Sequence, residues 1–251
     1  MDQPEENTLP RKNRRLDERW PPAHRSARQA RSAQGEGETE AAEGLQVTPI
    51  LFYDTETTGL PIFDQPSDHP DQPHIVQLAA LLVDADTRNI INSMDVIIRP
   101  NGWSIPDEAS KVHGITTEHA AAVGIEEKTA LDMFMALWAG PGRLRVAHNE
   151  QFDARILRIA LKRFFDGPDE VLPESDVWKS GKAECTARLA TPICALPPTE
   201  RMRAARRFHH KTPNLGEAYR HFTGKELENA HSALADVQAC MAIYFAIKDQ
   251  A

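Results

Sequence analysis

Cysteine is scarce in this chain. Cys185, Cys194 and Cys240 are the only three. They are too few and too scattered for a disulfide framework or a cysteine zinc site. They are expected to be small buried hydrophobes in a reducing cytoplasm. Also missing is any apolar run near the roughly 18 residues that a membrane span needs. The N-terminus is polar and acidic, with no apolar signal core, so neither export nor a membrane partner is expected. Positive charge is in deficit, with 29 Lys and Arg against 37 Asp and Glu and a net charge of −8. That balance argues against coating long duplex DNA, but not against taking one nucleic-acid end into a local metal site. No internal repeat is visible. What is present, 41% hydrophobic and 26% charged residues over 251 positions, suits one sizeable core.

Residues 1–46 have almost no large apolar side chains and read as a disordered charged tail. Arg11, Lys12, Arg14, Arg15, Arg19, Arg25, Arg28 and Arg31 come first; Glu36, Glu38, Glu40 and Glu43 follow. A solvated tether is expected, and a basic arm on nucleic acid or a partner is the alternative. Trp20 is its one residue suited to docking. The folded domain is expected over residues 47–251.

From Thr48 the pattern changes. Ile50 to Tyr53, Ile75 to Val83 and Ile90 to Ile98 read as strands, with turn signals between them that suit an antiparallel meander. Pro106 to Val112 is expected to be a helix with Pro in its first turn, and Thr117 the N-cap of another. Glu126 to Ala139 carries a helical apolar stripe. Leu144 to Ala147 is a brief strand. His148-Asn149 opens a helix to about Phe165, with Phe152, Ile156, Ile159, Ala160 and Phe164 on one face. Asp166 to Pro173 reads as a loop, and residues 185–194 as a short strand and then a helix. Pro197 to Pro213 holds a basic run with Arg201, Arg203, Arg206, Arg207, His209, His210 and Lys211, expected to be either a solvated loop or a phosphate contact where an incoming strand could pass. Leu215 to Phe222 is a helix closed by Gly224, and the last helix runs from Ala233 to Lys248.

The first strand ends in Asp54-Thr55-Glu56. Alternation puts the two acids on one side. Carboxylates side by side at a buried strand end raise each other's pKa and persist when something positive sits between them. A divalent cation meets that need, and hard oxygen ligands suit Mg²⁺ or Mn²⁺. An isolated Asp-x-Glu is more often a strand end with exposed acids. His231 and Asp236 open the last helix. Five residues turn a helix by about 140°, so both cannot be helical and share a face. The workable arrangement has His231 in the entering loop, Ser232 as N-cap and Asp236 one turn inside, facing inward.

Three spaced motifs agree in order. They are Phe52-Tyr53-Asp54-Thr55-Glu56-Thr57-Thr58-Gly59-Leu60, Val146-Ala147-His148-Asn149-Glu150-Gln151-Phe152-Asp153 and Ala230-His231-Ser232-Ala233-Leu234-Ala235-Asp236. With them the chain resembles the DEDDh 3′→5′ exonucleases of the ribonuclease H-like superfamily. That family includes the proofreading subunit of bacterial DNA polymerase III, RNase T and oligoribonuclease. His113-Gly114-Ile115 and Lys211-Thr212-Pro213-Asn214-Leu215 resemble landmarks between its motifs. The resemblance covers residues 48 to 247. The segment Pro61 to Pro73 is longer than in the shortest members.

The resemblance implies an α/β fold: a ribonuclease H-like mixed five-stranded sheet, its first three strands an antiparallel meander, flanked by helices. It implies a two-metal exonuclease acting on single-stranded 3′ ends, with two Mg²⁺ or Mn²⁺ ions held by Asp54, Glu56, Asp153 and Asp236. Asp54 is the expected bridge between the ions. His231 is the expected general base, a task that suits an imidazole around neutral pH. Thr55, Thr57 and Thr58 are expected at the 3′-hydroxyl and sugar. Gly59 permits close approach, and Leu60 wedges against the terminal base. Phe152 is expected under the sugar or base, with His113, His148 and Asn149 lining the pocket. Core packing for Phe152 and a structural role for His148 are the alternatives.

Single-stranded DNA is the first substrate reading. RNA, as tRNA ends or short oligonucleotides, is the second, because pocket details read the 2′-hydroxyl. A non-catalytic module docked on a DNA polymerase is a third, disfavoured because all five catalytic positions are filled. Polymerase-bound relatives usually carry an added C-terminal segment. A chain stopping at Ala251 is therefore expected to be a stand-alone or phage-type enzyme.

Overall fold

The computed structural model describes residues 47–167 and 173–250. The expected N-terminal tail and part of the Asp166 to Pro173 loop lie outside the described residues. Five strands form one mixed sheet: β1 (Pro49–Thr57), β2 (Ile75–Asp84), β3 (Ile90–Ile97), β4 (Leu144–Ala147) and β5 (Ala183–Cys185). Their spatial order is β3-β2-β1-β4-β5. The first three form the expected antiparallel meander, and β1–β4 and β4–β5 pair in parallel. Every residue of β2 is buried, which explains its unbroken apolar run: the strand is covered on both faces.

Helices α1 (Asp107–His113), α2 (Thr117–Val123) and α3 (Glu127–Trp138) follow β3. Between β4 and β5 lie α4 (Glu150–Phe164) and α5 (Glu174–Ser180). Then come α6 (Thr186–Cys194), α7 (Glu200–Ala204), α8 (Leu215–Thr223) and α9 (Ala233–Lys248). On one side of the sheet, Leu51, Tyr53 and Leu78 pack with Phe134, Trp138, Ile156 and Trp178. On the other, Ile50, Phe52 and Val146 pack with Val237, Cys240, Tyr244 and Phe245 of α9. Alternation along β1 therefore sorts its residues between two cores. Each fully buried aromatic among them contributes about 1.5–3 kcal/mol.

Several local expectations are corrected. Thr116, not Thr117, caps α2, its side chain accepting from His119 N. Pro106 stands at the N-cap of α1, one position before the first turn. Phe164 is exposed; the buried face of α4 is Ile156, Leu157, Ile159, Ala160 and Leu161. Cys185 and Cys194 are only half-buried, and Cys240 alone is interior. Helices α5 and α7, of seven and five residues, add to the elements expected from the sequence. Gly224 does close α8, in the left-handed conformation that glycine tolerates (φ 70°). Among the described residues no helix is long and apolar enough to cross a membrane.

Candidate active site

β1 outruns β4. Their last pair is Phe52 with Val146, whereas β1 keeps pairing with β2 as far as Thr57. Beyond Phe52 one side of β1 is thus open, where β4 turns away into α4. Asp54 and Glu56 stand in that opening. The backbone N–H of Thr55, freed from the sheet there, donates to Asp153 Oδ1 at 3.1 Å. Thr55 Oγ1 donates to the same oxygen at 2.8 Å. Strand end and helix start are so fixed to each other through Asp153, which is buried.

The third motif approaches from α9. Asn229 and His231 both take left-handed backbone, φ 55° and 68°, and Ser232 N donates to Asn229 O at 3.2 Å. This tight turn leaves His231 exposed while Asp236 is buried. Ser232 holds the N-cap position, but its side chain makes no cap bond. Instead His231 N donates to Asp236 Oδ2 at 3.2 Å. Asp236 Oδ1 is buried with no hydrogen-bond partner among the described residues. A ligand atom from each of Glu56, His231 and Asp236 lies within 4.8 Å of the others.

The carboxylates disfavour one another's charge. Burial, then Asp153, Asp236 and Glu56, pushes Asp54 far above the usual carboxylate range. Burial, then Asp236 and Asp153, pushes Glu56 up to about 8. Burial raises Asp153 to about 7 against the bonds from Thr55. Burial also raises Asp236, opposed by its bond and charge interaction with His231. Three motifs far apart in sequence thus meet as four acids and one imidazole.

The expected substrate residues divide. The Thr55 hydroxyl is committed to Asp153. Thr57 Oγ1 donates to Gly59 O at 2.7 Å, and Thr58 Oγ1 accepts from His74 N at 3.0 Å. Short hydroxyl side chains next to a turn commonly satisfy backbone groups in this way. Gly59 has open space at the position of a Cβ, and Leu60 is 75% exposed. His113 Nδ1 accepts from Ile115 N at 3.1 Å while its Nε2 is buried without a partner. Burial lowers its pKa, and nearby His231 pushes the same way. Both nitrogens of His148 are engaged inside the protein, with Thr186 Oγ1 at 2.9 Å and Pro213 O at 3.2 Å, and burial brings its pKa down to about 4. Asn149 is the left-handed N-cap of α4, its side chain making no cap bond. Phe152 is partly buried against the edge of the first core. The long segment after Leu60 has its own order: Gln72 bonds Ile62 N and O and Pro66 O, each at 3.0 Å. It presents Phe63, 71% exposed, beside Leu60 in sequence.

Two supports escaped sequence reasoning. Gln77 faces Glu56 across the β1–β2 register. Its Oε1 accepts from Ala233 N at 3.2 Å and its Nε2 donates to Asp95 Oδ1 at 2.7 Å, so it pins the start of α9 to the sheet. The one signal was a glutamine interrupting an otherwise apolar strand. Gln77→Ala is expected to cost about 1–3 kcal/mol of stability, because the buried Ala233 N–H loses its acceptor; denaturant unfolding measures it. The second support is a buried cluster beneath α4. Tyr53 Oη donates to Glu150 Oε1 at 3.2 Å, Arg145 Nε donates to the same oxygen at 3.0 Å, and the Arg145 guanidinium lies 3.8 Å from the Trp178 ring centroid.

Comparison with known proteins agrees with this architecture. A family model described as Exonuclease, and named for RNase T, matches residues 51–244. No curated protein matches the chain. Among solved structures, E. coli exonuclease I in complex with a dT13 oligonucleotide is similar at 23% identity and TM-score 0.60, over 80% of this chain and 41% of that one. A moderately thermophilic exonuclease I from Methylocaldum szegediense is similar at 22% identity and TM-score 0.60, over 80% of this chain and 40% of that one. The chain therefore spans about two fifths of the length of these exonuclease I chains.

Proposed function

The chain belongs to the exonuclease family whose model spans residues 51–244, and from that premise we propose that it hydrolyses single-stranded DNA from the 3′ end, releasing nucleoside 5′-monophosphates, with two Mg²⁺ or Mn²⁺ ions as cofactors. The observation that carries this reading is the buried acid cluster. Burial and the charges of Asp153 and Asp236 raise Asp54 and Glu56, and Asp236 Oδ1 is buried with no partner among the described residues. Oxygen ligands crowded in this way fit hard divalent cations. That exonuclease I has been solved with dT13 and with dA16 supports DNA as the substrate.

Asp54, Glu56, Asp153 and Asp236 would hold the cations. When bound, these supply Lewis-acid activation of the attacking water and of the phosphate, and neutralise charge on the leaving 3′-oxygen. His231 would take the water's proton at a ring nitrogen, since its exposed ring reaches both the solvent and the acids of the cleft. The Asp236–His231 N bond keeps that ring at the rim. Thr55 fixes the Asp153 carboxylate, so its role is to orient a ligand. Leu60, exposed after the strand end, would pack against the terminal base.

Two measurements test this. EDTA is expected to abolish hydrolysis of a labelled single strand, with Mg²⁺ or Mn²⁺ restoring it. A closed circular single strand is expected to resist. Its degradation at the linear rate would indicate an endonuclease, and activity in EDTA would remove the metal mechanism.

A further inference from the structure

Residues 197–210 leave the body between α6 and α8 and return to it. Lys211 N donates to Leu196 O at 3.0 Å, closing this excursion at its base. Inside it, the Thr199 side chain caps α7 by accepting from Met202 N, and Arg207 N donates to Met202 O at 2.8 Å. The excursion therefore has its own hydrogen-bonded shape, yet it contributes little to packing. Arg201, Arg203, Arg206 and Arg207 are all exposed, and Phe208 is 72% exposed. One acid, Glu200, accompanies the four arginines, in a chain whose net charge is −8. None of these four guanidiniums has an acid partner among the described residues, whereas Lys211 at the base is paired with Glu217.

Folding gives no reason for this composition. Like charges repel, and an aromatic ring in water gains nothing from burial. The location supplies one. Just past the base of the excursion, the Pro213 carbonyl accepts from His148 Nε2 at 3.2 Å. His148 adjoins Asn149, the N-cap of α4, and the first turn of α4 carries Asp153. The excursion thus rises from the same junction that supports the acid cleft.

We propose that residues 200–208 hold incoming single-stranded DNA behind its terminal nucleotide, with the arginines on phosphates and Phe208 stacked under a base. This rests on the exonuclease reading above and extends it to a second contact outside the cleft. Guanidinium groups match phosphate oxygens bidentately. A ring beside a positively charged track is the usual platform for an unpaired base, whatever its sequence.

The full chain, in EDTA so that nothing is cut, is titrated by fluorescence anisotropy against labelled oligothymidylates of about 4 and about 16 nucleotides. The longer strand is expected to bind more tightly. Phe208→Ala is expected to weaken that binding by about 5- to 150-fold, the range of one lost base stack, and Phe208→Trp to retain it. Arg206→Ser with Arg207→Ser is expected to reduce the slope of log affinity against log salt by about 1.4, two phosphate contacts on a single strand. Equal affinity of the wild type and both loss variants for the long strand would overturn the proposal. Hydrolysis of the short strand by the unmodified chain in Mg²⁺ is read in parallel. Its absence would sink the exonuclease reading itself, while hydrolysis with unchanged affinities in the variants removes only the second contact.

Discussion

Asp54→Asn is expected to abolish hydrolysis and, in the absence of metal, to make the protein more stable. The two effects share a cause. Asp54 stands in the opening of β1 with three other carboxylates around it, so its negative charge is unfavourable until a cation arrives. Asparagine keeps the volume and removes the charge. The remaining acids then lose one source of repulsion, and bound cations lose a ligand. The pH dependence of the metal-free protein follows from burial of these carboxylates first and from their mutual repulsion second. Glu56 is pushed up to about 8 and Asp153 to about 7, whereas free glutamate and aspartate titrate near 4. The folded state therefore binds more protons than the unfolded one. Their contribution to stability is fully present below about pH 4 and is lost as pH rises toward about 8. Thermal melts in EDTA are expected to show that fall in the wild type and a smaller one in Asp54→Asn. Added Mg²⁺ is expected to raise the wild-type midpoint and leave the variant's unchanged. A variant that still gained stability from Mg²⁺ and still cut DNA would remove Asp54 from the metal site.

His231→Ala is expected to lose about 10²- to 10⁴-fold in single-turnover rate, the usual contribution of a positioned general base, while divalent cations still bind. The side chain lies at the rim and its backbone N–H, not its ring, bonds Asp236. Alanine keeps that N–H, so the Asp236 carboxylate stays oriented. Histidine tolerates the positive φ of 68° better than alanine does, so a melting curve is recorded alongside. Calorimetric titration with Mn²⁺ separates the outcomes. Binding near the wild-type affinity with a slow chemical step supports the base. Loss of Mn²⁺ binding would make His231 a ligand, which its distance to Glu56 and Asp236 permits. An undiminished rate would move the base elsewhere.

The sequence by itself determined the family and the five-stranded sheet, and it marked the acid and imidazole positions as candidates. Their signals are local or ordered along the chain: the unbroken apolar β2, the Asp54-x-Glu56 strand end, and His231 placed just before the helix that carries Asp236. It also marked Gly224 as a helix end, because a left-handed terminus selects for glycine over a span of one residue. Only the tertiary structure decided which of the expected substrate residues have surface to offer. Thr55 and His148 carry the right chemistry in the right motifs, yet their polar atoms are used by Asp153, Thr186 and Pro213, the first lying 98 positions from Thr55 and the last 65 from His148. Gln77 looked like an imperfection in an apolar strand until the fold brought Ala233, 156 positions away, to its side chain. A hydrogen-bonding group satisfies whichever partner folding delivers, and the identity of that partner is not written near it in the chain. The shifted carboxylates belong to the same class, since four acids that are ordinary in isolation are raised when folding buries them together at the end of β1.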